Sequence, residues 1–330
     1  MSERLPKCEL SVVLPCYNEQ EVVALCHQEL TAVLSPAVSS YELIFVNDGS
    51  TDDTAAALQT LFDADKHVKV IHLSRNFGHQ RAVSAGLEYA SGRCVAIMDV
   101  DLQDPPAVLL PMLERWREGY EVIYGVRSSR QGESWFKLAT AQCFYRLMNC
   151  LSETQIPQDA GDFRLLDRRA VDAMLRMREQ HRLLRAMSSW IGFRQVGVPY
   201  ERASRRADVT KYSLGKMMAL AVDGVLSFSV VPLRMVSFTG LVLTVAGMAG
   251  AIGAIGARLW SGQWLPGWAW LGIAMAFLVG IQLLGLGVVG EYVGRVYNEI
   301  KQRPLYIVCE VQSHEEVRAT AFPAALRTHA

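Results

Sequence analysis

Carboxylate and amide side chains follow the apolar segments in the N-terminal half of this 330-residue chain. They occur at residues 15–19 (PCYNE), 47–51 (NDGST), 74–78 (SRNFG) and 99–104 (DVDLQD). In the last segment Asp99, Asp101 and Gln103 alternate along the chain, which places them on one side of an extended backbone. Oxygen ligands of this kind suit Mg²⁺ or Mn²⁺, whose coordination shells are completed by phosphate oxygens of a ligand. The alternative interpretation is an acidic turn solvated by water.

The elements that must position these residues alternate between strand and helix patterns. The pattern predicts strands at 9–15, 41–47, 68–73 and 94–100 and helices at 21–34, 52–62 and 79–90. This alternation predicts an α/β domain with a mostly parallel, Rossmann-like sheet and helices on both faces. A ligand site is then expected beyond the carboxyl ends of the strands. No GxGxxG follows the first strand, which argues against a dinucleotide cofactor.

Composition excludes several classes of protein. The chain has 33 Lys+Arg against 33 Asp+Glu and 51% hydrophobic residues, so it is neither disordered nor a basic nucleic-acid binder. Its seven cysteines form no CxxC pair, which disfavours zinc and disulfide frameworks and favours a reducing compartment. The N-terminus has only a short apolar run, so no signal peptide is predicted.

Two long uncharged runs change the character of the C-terminal third. Residues 236–257 and 259–290 contain no charged side chain, and each exceeds the roughly 20 residues that cross a bilayer. They predict a transmembrane hairpin; the alternative is a buried pair of core helices. Arg234 and Arg295 flank the hairpin while Arg258 stands alone in its loop, which predicts that both ends face the cytoplasm. Glycines in both spans, which allow close helix contact, predict a homo-oligomer.

These features predict four parts along the chain. They are an α/β domain at 1–210, a juxtamembrane linker with interfacial helices at 211–233, two transmembrane helices within 234–295 (about 236–258 and 267–290), and a cytoplasmic tail at 296–330.

The ordered set of motifs resembles glycosyltransferase family 2. The motifs are LPCYNE, VNDGSTDDT, LSRNFGHQ, MDVDLQDPP, YGVRSSR, GDFRLLDRR and TKYSLGKM. Within that family the chain is similar to bacterial polyprenyl-phosphate glycosyltransferases, which resemble dolichol-phosphate mannose synthase and carry two C-terminal transmembrane helices. The resemblance implies a GT-A fold. It also implies inverting transfer of a sugar, from a nucleoside diphosphate donor that is UDP-linked, to polyprenyl (undecaprenyl) phosphate. The reaction would occur at the cytoplasmic face of the inner membrane and serve cell-envelope glycan modification.

The resemblance also implies roles for individual residues. Donor binding is expected of Pro15, Tyr17, Glu19, Asp48 and Asp99, and metal binding of Asp101 and Gln103 with Mg²⁺ or Mn²⁺. Asp162 in GDFRLL matches the position of a proposed base. We interpret it as a group that orients acceptor or sugar hydroxyls, and the alternative is a helix cap before residues 165–174.

Cationic residues predict the acceptor side of the site. Arg127, Arg130 and Lys137 follow a predicted strand at 121–125, and Arg205 and Lys211 precede the membrane segment. Arginine forks bind phosphate through two hydrogen bonds, as a lipid monophosphate acceptor requires. The alternative is general attraction to anionic lipids. Together with Asp101 and Asp162, Arg127 is expected to be catalytic.

Two other functions remain as alternatives. A processive polysaccharide synthase of the same superfamily would carry QxxRW, which this sequence lacks. A catalytically silent membrane scaffold is disfavoured by the intact Asp99, Asp101 and Gln103. One departure from the family pattern is Asp208, which stands where relatives often have glycine. The identity of the sugar stays open.

Overall fold

The computed structural model describes residues 7–127, 160–201 apart from 178 and 181, and 268–314, with scattered helical positions between 233 and 259. The strands are β1 (Cys8–Cys16), β2 (Tyr41–Asn47), β3 (Val68–Leu73), β4 (Gly92–Ile97), β5 (Val122–Arg127), β6 (Ala160–Asp167), β7 (Gln195–Tyr200) and β8 (Val308–Gln312). The helices are α1 (Val23–Leu34), α2 (Thr54–Ala64), α3 (His79–Tyr89), α4 (Leu109–Arg117), α5 (Arg168–Arg176), α6 (Leu184–Trp190) and α7 (Trp268–Ile300).

All eight strands form one sheet in the order β7-β5-β6-β4-β1-β2-β3-β8. The four central strands β1 to β4 are parallel, and β5 is parallel to β7. Strand β6 runs antiparallel between β4 and β5, and β8 runs antiparallel to β3. The predicted α/β class with a mostly parallel sheet is confirmed, and the sheet is mixed.

Residues of β1 alternate between two apolar cores, one on each face of the sheet. Leu10, Val12 and Leu14 pack with residues of α1 and α4 on one face. Val13 packs on the other face with residues of α3 and α5. Because β1 is buried on both faces, its sequence is an almost continuous apolar run, as is typical of a central parallel strand.

The interpretation of Asp162 as a helix cap is wrong. Asp162 lies within β6, whose residues pair with β4 on one side and β5 on the other. The next helix, α5, begins only at Arg168, and its cap is Asp167, whose side chain accepts a hydrogen bond from the Arg169 backbone N–H. The apolar residues that follow Asp162 are buried in the sheet rather than along a helix face.

Residues assigned by the sequence pattern to the tail contribute a strand, because β8 pairs with β3. The chain divides into two compact units. One contains residues 1–135, 154–209 and 303–330, and the other contains 136–153 and 210–302. Within the second unit, α7 covers the second predicted membrane span. Across the described residues we find no helix with both the length and the apolarity that crossing a membrane demands. The two-helix hairpin stays a prediction.

Candidate active site

The loops that follow β1 and β2 are joined to each other by hydrogen bonds. Asn18, with a left-handed φ of 57°, accepts from the Thr51 backbone N–H at 2.9 Å through its side-chain oxygen. The Glu19 backbone N–H donates to the Thr54 hydroxyl at 2.9 Å. These bonds fix the loop that carries predicted donor residues, and Tyr17 lies on it as an exposed residue, with 45% of its surface accessible. Pro15 lies on β1 itself, opposite Val46.

Asp48 holds the turn that begins α3. Its carboxylate accepts hydrogen bonds from the backbone N–H groups of Phe77 (2.7 Å) and Gly78 (2.9 Å). Burial raises the pKa of Asp48, while the two amides act in the opposite direction. A further contact from Asp48 to a nucleoside remains a prediction, since each carboxylate oxygen has a second lone pair.

Gly49 brings the loop after β2 against the loop after β3. It has a φ of +65°, and a Cβ there would lie 2.4 Å from the Arg75 carbonyl carbon. Only glycine tolerates both this conformation and this approach. The position of Asp48 relative to α3 therefore depends on Gly49.

The loop after β4 carries Asp99, Asp101, Gln103 and Asp104. Asp101 accepts a 3.1 Å hydrogen bond from the Gln103 backbone N–H, and Leu102 between them has a left-handed φ of 55°. The Gln103 side chain is buried, and its amide nitrogen has no hydrogen-bond partner among the described residues. This loop presents oxygen donors on a strained backbone, as functional loops often do.

His79 lies between two carboxylates. Its Nε2 atom is 3.7 Å from an oxygen of Asp99 and 3.8 Å from an oxygen of Asp162. Burial raises the pKa of Asp99, to which Asp101, Asp104 and Asp162 add, while His79 acts in the opposite direction. The residues that follow β3 and β4 thus lie close to the start of β6, and carboxylates are concentrated there.

Asp162 is held by hydrogen bonds from two sides. Gln80 donates to one carboxylate oxygen at 3.2 Å, and Arg185 donates to the other from Nε (3.3 Å) and Nη2 (3.1 Å). Burial alone would raise the pKa of Asp162, but Arg185, Arg164 and His79 outweigh it and hold the pKa below the ordinary aspartate value. Asp162 is therefore an ionised acceptor of hydrogen bonds.

Arg164 supports Asp162 from inside the sheet. It is fully buried, and it donates to the Gly161 carbonyl (2.8 Å), to the Leu184 carbonyl (3.4 Å) and to the Ser188 hydroxyl. Burial lowers its pKa to about 10, so it remains charged at neutral pH.

Arg127 ends β5 beside Tyr200, its register partner on β7. The Tyr200 hydroxyl donates a 2.6 Å hydrogen bond to Asp104. On its other side Arg127 approaches the residue before Asp162, since a Cβ on Gly161 would lie 3.2 Å from the Arg127 Nη2 atom. Arg127 therefore lies beside the start of β6, and its role in an acceptor site stays a prediction.

The structure brings some predicted residues together and leaves others outside its description. Asp48, Asp99, Asp101, Gln103, Arg127 and Asp162 lie at or beyond one edge of the sheet. The predicted phosphate-binding residues Arg130, Lys137, Arg205 and Lys211 lie outside the described residues. Sequence reasoning missed His79, Gln80, Asp104, Arg164, Arg185 and Tyr200. Four of them stand in quoted motifs and could have been found there: His79 and Gln80 in LSRNFGHQ, Asp104 in MDVDLQDPP and Arg164 in GDFRLLDRR.

Carboxylates gathered beyond the ends of its parallel strands, where such sheets bind ligands, and the match given next define the α/β domain as GT-A-like. Residues 11–175 match glycosyl transferase family 2, so the chain belongs to this family and is a glycosyltransferase.

Three relatives cover almost the whole chain. An uncharacterized glycosyltransferase of Bacillus subtilis is 45% identical over 91% of this chain and 93% of its own length. The prophage-derived bactoprenol glucosyl transferase of Shigella flexneri is 36% identical over 91% of this chain and 97% of its own. A prophage bactoprenol glucosyl transferase homolog of Escherichia coli is 36% identical over 92% of this chain and 99% of its own length.

A solved structure is more distantly similar to the chain. It is the glucosyl-3-phosphoglycerate synthase of Mycobacterium tuberculosis with Mn²⁺, UDP-glucose and phosphoglyceric acid. It is 21% identical, covers 67% of this chain and 79% of its own, and has a TM-score of 0.44. This likeness is too distant to bear on the chemistry of the site.

Proposed function

We propose that this glycosyltransferase moves glucose from a UDP-linked donor to a polyprenyl phosphate of the bactoprenol (undecaprenyl) class. The observation that carries the proposal is the match to bactoprenol glucosyl transferases over more than nine-tenths of both chains. The position of Arg127, beside Gly161 at the start of β6, is compatible with a phosphate acceptor.

The reaction is a single displacement with inversion. An oxygen of the acceptor phosphate forms a bond to the anomeric carbon while the bond from that carbon to the donor diphosphate breaks. A phosphate monoester has its second pKa at about 6, so the acceptor is largely a dianion at neutral pH and needs no strong base. The lowered pKa of Asp162 accordingly favours a role in orienting hydroxyl groups over a role as a strong base. Arg127 is the cation proposed to receive the acceptor phosphate.

A divalent cation, Mg²⁺ or Mn²⁺, belongs to the proposal. Among the residues that the structure covers, no group of three or more His, Cys, Asp or Glu side chains is arranged to hold a metal ion. Asp101 and Gln103 nevertheless fit a cation that also binds the donor diphosphate, because both offer hard oxygen atoms and lie on one turn, where Asp101 accepts from the Gln103 backbone N–H. When bound there, the cation would neutralise charge on the leaving diphosphate.

Membrane attachment completes the proposal. A lipid-phosphate acceptor requires the enzyme to work at a bilayer, and the predicted hairpin at 234–295 with its juxtamembrane segment at 211–233 would supply the anchor. The catalytic domain is proposed to face the cytoplasm at the inner membrane. Glycines in the predicted spans favour a homo-oligomer.

The proposal is tested with membranes that contain the full chain. They are incubated with polyprenyl phosphate, Mg²⁺ or Mn²⁺, and a panel that includes UDP-glucose, UDP-N-acetylglucosamine, a modified UDP-pentose and GDP-mannose, and the lipid product is weighed by mass spectrometry. We expect a hexosyl-phosphate lipid from UDP-glucose, and its loss in Asp101→Ala. Asp63→Ala, an exposed aspartate on α2, is the control. A different sugar would overturn the donor assignment, and no lipid product from any donor would favour the silent scaffold.

A further inference from the structure

Gln80 bridges two elements of the site that are far apart in sequence. Its side-chain nitrogen donates to the Asp162 carboxylate at 3.2 Å, while its side-chain oxygen accepts from the Leu184 backbone N–H at 3.1 Å. Leu184 is the first residue of α6, and the next residue, Arg185, holds the other oxygen of Asp162. One amide therefore touches both the carboxylate and the helix that carries its counterion.

The orientation of this amide is determined by its partners. A backbone N–H can only donate, so the Gln80 oxygen must face Leu184 and its nitrogen must face Asp162. The backbone around Gln80 is fixed as well. Asp48 holds the two residues that precede α3, and the Ser84 hydroxyl donates to the Gln80 carbonyl at 2.8 Å.

We infer that Gln80 is a positioning residue for Asp162 in sugar transfer. It acts by holding one oxygen of Asp162 and, through Leu184, the start of α6, so that Arg185 meets the other oxygen. Gln80 does not touch the substrates in this inference, which rests on the proposed function for the role of Asp162. Asp48 contributes indirectly to the position of Gln80, because it holds the turn that precedes α3.

Two variants separate the two contacts of Gln80, and a third serves as the control. Gln80→Leu removes both at similar volume. Gln80→Glu keeps an oxygen for the Leu184 N–H but places a second oxygen against Asp162. Gln59→Leu is the matched control, because Gln59 makes a similar bridge on the surface: it donates to Asp63 at 2.9 Å and accepts from Gln312 at 2.7 Å.

The experiment measures kcat and the KM for both substrates in membranes. Since a hydrogen bond to a charged group is lost, we expect Gln80→Leu to lower kcat by roughly tenfold or more. The KM for the nucleotide sugar should be unchanged. Gln80→Glu should lose at least as much, whereas Gln59→Leu should behave as wild type. A Gln80→Glu enzyme with full kcat would overturn the inference.

Combination with Asp162→Asn tests whether Gln80 acts through Asp162. In that background Gln80→Leu should lower kcat little further, because the carboxylate that it positions is gone. A full additional loss would show that Gln80 acts elsewhere. Wild type, Gln80→Leu, Asp162→Asn and the double variant also form a double-mutant cycle on the free energy of unfolding. If the two substitutions were simply additive in that cycle, the inference would again be overturned. This cycle needs no activity, so it separates a failure of this inference from a failure of the proposed reaction.

Discussion

The Tyr200 hydroxyl and the Asp104 carboxylate are joined by a hydrogen bond of 2.6 Å. The bond links the end of β7 to the loop that carries Asp101 and Gln103, across 96 positions of sequence. Burial and the charge of Asp104 raise the pKa of Tyr200 to about 12, so the hydroxyl keeps its proton at neutral pH. The tyrosine therefore holds this loop over the whole range in which the enzyme would work.

Removing that hydroxyl should destabilise the loop after β4, which carries the proposed metal ligands Asp101 and Gln103. We expect Tyr200→Phe to lower the free energy of unfolding by about 1.5–3 kcal/mol, because a buried carboxylate loses a donor. The concentration of Mn²⁺ that gives half-maximal activity should rise. Urea unfolding and a metal titration of activity measure the two effects. Tyr120→Phe is the control, since that variant keeps the ring over which Arg194 lies. An unchanged urea midpoint in Tyr200→Phe would contradict the expectation.

The lowered pKa of Asp162 predicts a pH dependence of stability. A carboxyl whose folded pKa is below its unfolded value of ~3.9 stabilises the fold above that value, and this contribution is lost as the pH falls through the folded pKa. Wild type should therefore exceed Asp162→Asn in free energy of unfolding at pH 5–8, and the difference should shrink below about pH 4. Urea unfolding across pH 3–7 measures it, and a difference independent of pH would refute the assignment.

The raised pKa of Asp99 predicts the opposite effect on stability: the ionised carboxylate destabilises the folded protein at neutral pH. Its ionised form is disfavoured in the folded protein by burial and by neighbouring carboxylates, so a neutral side chain should be better tolerated at pH 7. We expect Asp99→Asn to raise the thermal midpoint at pH 7 while lowering sugar transfer. The gain should disappear below about pH 4, where the aspartate is protonated in both folded and unfolded chains. A lower midpoint at pH 7 would contradict this prediction.

A divalent cation should stabilise the protein through Asp101. A ligand at 100 times its Kd adds about 2.7 kcal/mol to the free energy of unfolding, so Mn²⁺ should raise the Tm of wild type. The shift should be absent in Asp101→Ala and should persist in Glu118→Ala, which removes a surface carboxylate paired with Arg115. Thermal unfolding with and without chelator gives the result. Equal shifts in all three proteins would argue against a site at Asp101.

Gly49 should tolerate no side chain. Gly49→Ala combines a left-handed φ with a contact of 2.4 Å to the Arg75 backbone, so its cost should exceed the ~1–2 kcal/mol of the left-handed conformation alone. Gly119→Ala is the matched control: Gly119 has a φ of +92°, but a Cβ there would meet only the Arg194 side chain, at 3.7 Å. Urea unfolding should give Gly49→Ala a much lower free energy of unfolding than Gly119→Ala. Equal losses of stability in the two variants would contradict the close approach of Gly49 to the Arg75 backbone.

Local patterns predicted the parallel part of the fold. Strands β2 and β3 have the predicted bounds, and α3 begins at His79 as predicted, because apolar runs there end at polar turns. The sequence around Asp162 was ambiguous, since apolar residues at 163, 165 and 166 suit a buried strand and a helix alike. Insertion of β6 between β4 and β5 depends on contacts distant in sequence. For that reason the bridge from Gln80 to Asp162, 82 positions apart, was outside the reach of the sequence pattern.

The pairing of β8 with β3 has a consequence for synthesis of the chain on the ribosome. Until residues 308–312 emerge, β3 is an edge strand with unpaired N–H and C=O groups. The other seven strands are translated first, and the segment from 210 to 302, which belongs to the second compact unit, must follow before the edge is covered. The nascent catalytic domain therefore carries an open edge through the synthesis of roughly a third of the chain, and its final strand is added only after the second unit has been translated.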